Sequence, residues 1–275
     1  MKARPHFLRS VVARTCALAL PASGPISERS SARARELRAR GTTSLGTVLR
    51  GDQIDAVLAS LDGKLLFEPW EKQRRRFLKE QLPQEWNQGH YGQEDILSAP
   101  HLLALANEPT LLETVASYLG CKPTLSNVAL WWSFAGRAAP QEAQFFHRDR
   151  DDWRFLKLFV YLTDVDHTSG PHLYVEGSHR SMRLTGPRRY RDHEVAARFP
   201  GQAHRTWVGP RGLAFLEDTY GIPKGLLPRS RARLLFQAEY SLFPILQYAY
   251  APSSSKRLAP GPALDPYVNR LLIDP

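Results

Sequence analysis

The chain has 275 residues, 43% of them hydrophobic, with six tryptophans and a formal net charge of +10. That content is enough for a sizeable core and excludes a largely disordered polymer; no run of about 18 apolar residues exists to span a bilayer, so no membrane partner is expected. The positive charge points to nucleic acid only until it is located along the chain: Lys2, Arg4, Arg9, Arg14, Arg29, Arg33, Arg35, Arg38 and Arg40 stand against Glu28 and Glu36, which places +7 of the +10 in residues 1–40. The other residues carry only +3, and no nucleic-acid function is expected.

Residues 1–40 are rich in Arg, Ser and Ala, and are read as a disordered basic tail with the composition of an organellar targeting segment. A secretory signal fits less well, because Arg14 interrupts the apolar stretch from Val11 to Leu20. Two cysteines, Cys16 and Cys121, support neither a disulfide framework nor a CxxC zinc site, and suit a reducing compartment such as the cytoplasm.

The remaining residues, 41–275, read as one domain. Ile54, Val57, Leu58 and Leu61 recur at helical spacing behind Gly51-Asp52, with Asp52 as the candidate cap. Two more helices are predicted over Ser98 to Asn107 and Pro109 to Leu119; the second has proline in its first turn and Gly120 as its stop. From residue 124 the period changes to two, with Val128, Leu130, Trp132 and Phe134 on one face. Residues 155–163 form a strand with Lys157 and aromatics on one parity and aliphatics on the other. Gly170-Pro171 turns the chain into Leu173-Tyr174-Val175, and Gly177-Ser178 ends that element. Residues 181–205, with six arginines, read as a solvated excursion, and strands resume at 212–216 and 233–237. Helices first and many short strands afterwards predict a mainly β fold, a jelly roll with N-terminal helices packed on its outside.

The candidate chemistry lies in Phe145-Phe146-His147-Arg148-Asp149. A His-x-Asp unit at a strand end offers an imidazole and a carboxylate to adjacent corners of an iron(II) ion, although such a pair also arises by chance and needs its context. The context is the run FFHRDRDDWRFLKLFVYLTDVDHTSGPHLYVEGSHR, residues 145–180. It resembles the central block of the phytanoyl-CoA dioxygenase family: His-x-Asp, a strand ending in Leu162 to Val165, a Gly170 to His172 turn and a Gly177 to His179 step. The likeness extends upstream to Tyr118-Leu119-Gly120 and downstream to Asp265 through Arg270.

The resemblance implies a double-stranded β-helix and an iron(II)/2-oxoglutarate-dependent oxygenase that hydroxylates a small organic substrate. It implies His147 and Asp149 as metal ligands and Arg233 as the residue that grips the distal carboxylate of 2-oxoglutarate. Arg233 also fits on physical grounds, since a guanidinium offers a planar, permanently charged fork to a carboxylate. Lys157 is the second candidate for the cofactor.

One position departs from the family's pattern, in which the third ligand is a histidine two residues before a glycine. Here the segment reads Asp218-Thr219-Tyr220-Gly221-Ile222-Pro223-Lys224-Gly225, so the histidine position is Pro223, which has no donor or acceptor on its side chain. His204 is the first residue to examine as a replacement, and Asp218 is less well placed. A catalytically silent relative that binds a small anion or a protein is the alternative reading.

Overall fold

Alternating residues become paired strands wherever each face has something to bury it, and a computed structural model, which describes residues 5–71, 73, 75–201 and 203–274, shows what does so here. In chain order the elements are α1 (His6–Leu18), α2 (Glu28–Arg40), β1 (Thr42–Thr47), α3 (Gly51–Ser60), β2 (Leu66–Phe67), β3 (Arg76–Phe77), β4 (Gln88–His90), α4 (Gln93–Ser98), α5 (Leu102–Ala106), α6 (Pro109–Leu119) and β5 (Thr124–Ser133). They continue as β6 (Phe155–Tyr161), β7 (His172–Val175), α7 (Asp192–Arg198), β8 (His204–Trp207), β9 (Leu213–Glu217), β10 (Ile222–Gly225), β11 (Arg233–Ser241), β12 (Ser253–Ser254), α8 (Pro266–Asn269) and β13 (Ile273–Asp274).

Eight strands form one antiparallel sheet in the order β1-β9-β6-β11-β5-β4-β2-β3, and β10-β7-β8 form a smaller sheet that lies across it. This is the expected jelly roll, an open two-sheet sandwich rather than a closed barrel. The parity read from the sequence of β6 decides its packing. Leu156, Leu158 and Val160 join Leu216, Leu234, Phe236 and Ala238 in the core under the helices. Phe159 and Tyr161 point the other way and pack with Phe215, Leu235 and Trp207, joining the two sheets. Lys157 shares that inward parity, directly opposite Glu239 on one side and Glu217 on the other.

The predicted helix at Pro109–Leu119 is found with Pro at its start and Gly120 at φ +90° as its cap. Of the helix expected over Ser98 to Asn107 only the short α5 forms, and Pro100 separates it from α4, which ends at Ser98. The α3 helix begins two residues earlier than expected: Arg50 occupies the cap, and Asp52 lies in the first turn, ion-paired to Arg50 at 2.8 Å. Residues 181–205 are not a solvated excursion throughout. Tyr190, Val195 and Phe199 are buried there with Phe146, Val175 and Ile222, an apolar triplet hidden from composition by the surrounding arginines.

The largest difference concerns residues 1–40. Met1 to Arg4 lie outside the described residues, but the rest of this stretch forms α1 and α2, not a disordered tail. Ser27 caps α2, its Oγ accepting the Ser30 backbone N–H, and Gly41 at φ +85° closes the helix. Ala13, Ala17, Ala34 and Leu37 are buried in the main core, on faces made mostly of small residues that carry a weak hydrophobic signal. Ser27 and Ser30 also bond the Glu113 carboxylate of α6.

At the end of α2 the chain is held tightly. The Tyr174 hydroxyl donates to the Asp218 carbonyl at 2.9 Å, in a space where a Cβ on Gly41 or Gly221 would lie 2.2 or 2.0 Å from that hydroxyl. His179, 2% exposed, donates from Nε2 to the Arg38 carbonyl at 3.2 Å.

Two tests follow from this packing. Deleting residues 1–40 exposes apolar surface on α6 and removes about 3 kcal/mol or more, so the melting temperature should fall by roughly 5–10 °C; an unchanged value would show that the helices do not dock. Burial pushes the His179 pKa down to about 4. The unfolded chain binds this proton below about pH 6.5 and the folded chain does not, so the stability it preserves is complete above that pH and is lost as pH falls toward 4. The loss is roughly 3 kcal/mol in all, and in His179→Gln the acid limb measured by urea titration should flatten.

Candidate functional site

The His-x-Asp segment runs between the two sheets. The His147 backbone N–H donates to the Pro223 carbonyl at 3.2 Å and the Asp149 N–H to the Thr219 carbonyl at 3.0 Å, so the segment is stitched to the chain entering β10. Between them Arg148 points away and is 8% exposed. Its guanidinium donates to the carbonyls of Leu184, Ser178, Ser181, Arg183 and Tyr220, which clamps the segment to residues 178–184. Burial lowers its pKa to about 10, so it remains charged. The sequence reading gave Arg148 no role; five carbonyl partners from distant segments leave no local pattern.

His147 donates from Nδ1 to the Phe145 carbonyl at 2.9 Å, which leaves Nε2 as the bare, ligand-competent nitrogen. Burial lowers its pKa and favours the neutral ring. Asp149 presents Oδ1 to that nitrogen at 3.6 Å, close enough for both donors to reach one ion at about 2.1 Å each. Its other oxygen, Oδ2, accepts from the Lys157 ammonium at 2.9 Å.

Lys157 therefore does not present a free ammonium to a cofactor. It is 7% exposed, with Asp151 at 3.0 Å and Glu239 at 3.8 Å in addition to Asp149. Burial acts against its charge, but the three carboxylates outweigh that and raise its pKa well above the ordinary value. Asp149 responds inversely: burial opposes ionisation, while Lys157 and His147 hold it well below the carboxylate range. Burial raises the Glu239 pKa well above its usual value, against the pull of Lys157, and Tyr248 donates to its Oε2 at 2.9 Å. Asp151 and Glu239 were missed from the sequence, although Glu239 shares the inward parity of Arg233.

Arg233 opens β11 at 2% exposure. It donates to the Gly170 carbonyl and, at 3.4 Å, toward Ser133 Oγ, while its Nε has no partner and no carboxylate pairs with it among the described residues. A Cβ on Gly225 would lie 3.2 Å from Arg233 Nη2, so glycine there leaves room beside the guanidinium. Arg233 and His147 thus both flank β10, at Gly225 and Pro223.

The proposed replacements for a third ligand are engaged elsewhere. His204 is exposed and packs near the Phe146 ring, and Asp218 accepts from Tyr118 Oη at 2.6 Å and from the Tyr220 N–H at 3.0 Å. His172 is paired with Glu217 at 2.8 Å, and Trp207 donates to the same carboxylate. No cluster of three or more His, Cys, Asp or Glu donors suited to a metal occurs among the described residues. The donor set thus fits a metal in part, with two ligands, and fits a dianionic cofactor at Arg233. A cavity of about 860 Å³ opens on His147 and Asp149, with Trp153, Arg188 and Phe243 on its walls. No helix among the described residues is long and apolar enough to cross a membrane.

Comparisons with known proteins agree with this architecture. Among solved structures, the non-heme alpha ketoglutarate dependent carbocyclase SnoK from nogalamycin biosynthesis aligns with a TM-score of 0.57 at 18% identity, over 79% of this chain and 87% of that one. EctD from S. alaskensis, solved with 2-oxoglutarate and 5-hydroxyectoine, gives 0.57 at 17% identity over 79% and 77%. HygX from Streptomyces hygroscopicus, with nickel and 2-oxoglutarate bound, gives 0.56 at 14% over 90% and 100%. At these identities the likeness is one of fold. No curated protein sequence matches. The phytanoyl-CoA dioxygenase (PhyH) family model matches residues 37–218, about two thirds of the chain, ending just before Pro223 and Arg233. With a family match over that span and a jelly-roll fold, this chain belongs to the phytanoyl-CoA dioxygenase family, whose cofactors are iron(II) and 2-oxoglutarate.

Proposed function

We propose that this protein is a 2-oxoglutarate-dependent oxygenase that hydroxylates a small organic substrate. The observation that carries the reading is Arg233, a buried permanent cation with an unpartnered Nε and no carboxylate, next to the strand that flanks His147. Burying such a charge is costly unless an anion completes it, and a carboxylate is the natural complement of a guanidinium fork. In this reading Arg233 takes the distal carboxylate of 2-oxoglutarate, and His147 Nε2 and Asp149 Oδ1 hold the metal. When bound, iron and 2-oxoglutarate supply the oxidising power, one oxygen atom of O2 going to the substrate C–H and the other to succinate, with release of CO2.

The chain's own contribution is positioning. Phe145 fixes the His147 tautomer, and Lys157 holds Asp149 by Oδ2 so that Oδ1 faces the imidazole. The substrate would lie in the cavity beside Trp153 and Phe243, whose apolar surfaces exclude water from that wall. Small-molecule complexes of related folds, such as HygX with hygromycin B, are consistent with this class of substrate.

Pro223 favours a second reading, a catalytically silent member that keeps the anion site. The proline side chain offers no ligand, and Lys157 already neutralises the carboxylate that a metal would use. Stoichiometric succinate formation by the purified, iron-loaded protein supports the oxygenase; 2-oxoglutarate binding without succinate supports the silent relative.

Arg233→Ala should abolish 2-oxoglutarate binding measured by calorimetry, because removing one partner of a desolvated charge pair costs about 3–5 kcal/mol. Arg233→Met, which keeps much of the volume, should fold and also fail to bind; unaltered binding in either variant removes Arg233 from the site. Pro223→His places an imidazole on the strand whose carbonyl already bonds His147. It should tighten iron(II) retention and produce a metal-to-ligand charge-transfer absorption on anaerobic addition of 2-oxoglutarate. If wild type already shows that band and turns over the cofactor, the silent reading fails. If neither protein retains iron while both stay folded, the oxygenase reading fails.

A further inference from the structure

A second cavity, of about 440 Å³, lies where α1 meets the jelly roll. Five arginines line it: Arg9, Arg14, Arg38, Arg154 and Arg180. The one carboxylate among its walls is Asp218, whose two oxygens are already occupied by Tyr118 Oη and the Tyr220 N–H. None of the five forms an ion pair among the described residues. Arg9 and Arg14 stand on α1, outside the span matched by the family, and Arg38, Arg154 and Arg180 lie within it, so the concentration of charge arises only where the N-terminal helix meets that span.

Three of the guanidiniums are fixed in advance. Arg9, 5% exposed, lies 3.3 Å over the Tyr220 ring. Arg154 donates to the Tyr118 and Leu119 carbonyls at the end of α6, and Arg38 donates to the Ser117 carbonyl. Arg14 and Arg180 are exposed at the rim. The cavity also contains His179, 2% exposed, whose Nδ1 has no hydrogen-bond partner. Like charges held this close repel one another, and a multivalent oxyanion relieves that repulsion while accepting several charge-assisted hydrogen bonds.

We propose that this cavity is a binding site for a phosphate group, built jointly by the N-terminal helix and the jelly roll. Trp153 belongs to the walls of both this cavity and the one at His147 and Asp149, so a phosphorylated organic molecule seated here has its body directed along Trp153 toward the candidate metal pair. The site does not depend on a metal, and its test is separate from that of the oxygenase reading.

The test is calorimetry of the full-length, metal-free chain at low ionic strength, with inorganic phosphate as the probe and acetate as the monovalent control. Saturable one-site binding of phosphate is expected, with little or no response to acetate. Arg14→Ala/Arg180→Ala should keep the wild-type circular dichroism and melting temperature, since both residues are exposed and unpaired, and should weaken phosphate binding by at least about tenfold. Arg38→Ala provides a second variant should the double one fold poorly. Phenyl phosphate separates the two sources of the group: tighter binding than inorganic phosphate identifies an organic phosphomonoester, and equal binding identifies the free ion. Absence of saturable phosphate binding, or unchanged affinity in a folded arginine variant, overturns the proposal.

Discussion

The Lys157 ammonium is the constraint around which the interior is arranged. It sits within 4 Å of Asp149, Asp151 and Glu239, drawn from the segment before β6 and from β11. In water such pairs are worth little, but here the groups are buried, and each is tolerable only because the others are present. The strand pairing of β6 with β9 and β11 sets the position of the ammonium, and the ammonium in turn sets the rotamer of Asp149. Burial, with Asp151 nearby, raises the Glu239 pKa well above its usual value, and the Lys157 ammonium opposes that shift.

From this arrangement the candidate site acquires an unequal character. Its anion end is preorganised: Arg233 is buried, oriented by the Gly170 carbonyl and given space by Gly225. Its metal end is lean, with one imidazole and one carboxylate, the latter already in contact with a cation. The family gives the fold and the cofactor pair. In the proposed reading the chain's own residues decide how firmly each half of that pair is held, and the buried, carboxylate-free Arg233 favours the organic anion over the metal ion. Arg148 adds rigidity to this centre, since its carbonyl partners tie residues 145–150 to the crossing at 178–184.

The N-terminal helices extend the same theme of buried or half-buried cations into a region that composition alone marks as a tail. Arg9 against Tyr220 and Arg38 against the end of α6 use their charges for packing and carbonyl capping, leaving them free of carboxylates. Residues 5–40, carrying +5, thereby fold onto a domain of nearly balanced charge, and their net charge is not evidence of disorder once a partner surface exists.

The sequence by itself determined the strand parity of 155–161, the helix Pro109–Leu119 with its proline start and glycine stop, and the His-x-Asp segment with Arg233 downstream. These are local regularities, and periodicity and turn chemistry read them directly. It also determined that Pro223 contributes no side-chain ligand, since that follows from covalent structure. Only the tertiary structure decided what each group meets. Lys157 reads equally well as a cofactor cation or a rim lysine until Asp151 and Glu239 are brought beside it from 6 residues before it and 82 after it. Likewise α1 and α2 have faces of alanine and a single leucine, too weak to announce a buried surface, and they are helices in this protein because α6 and the jelly roll supply the other side.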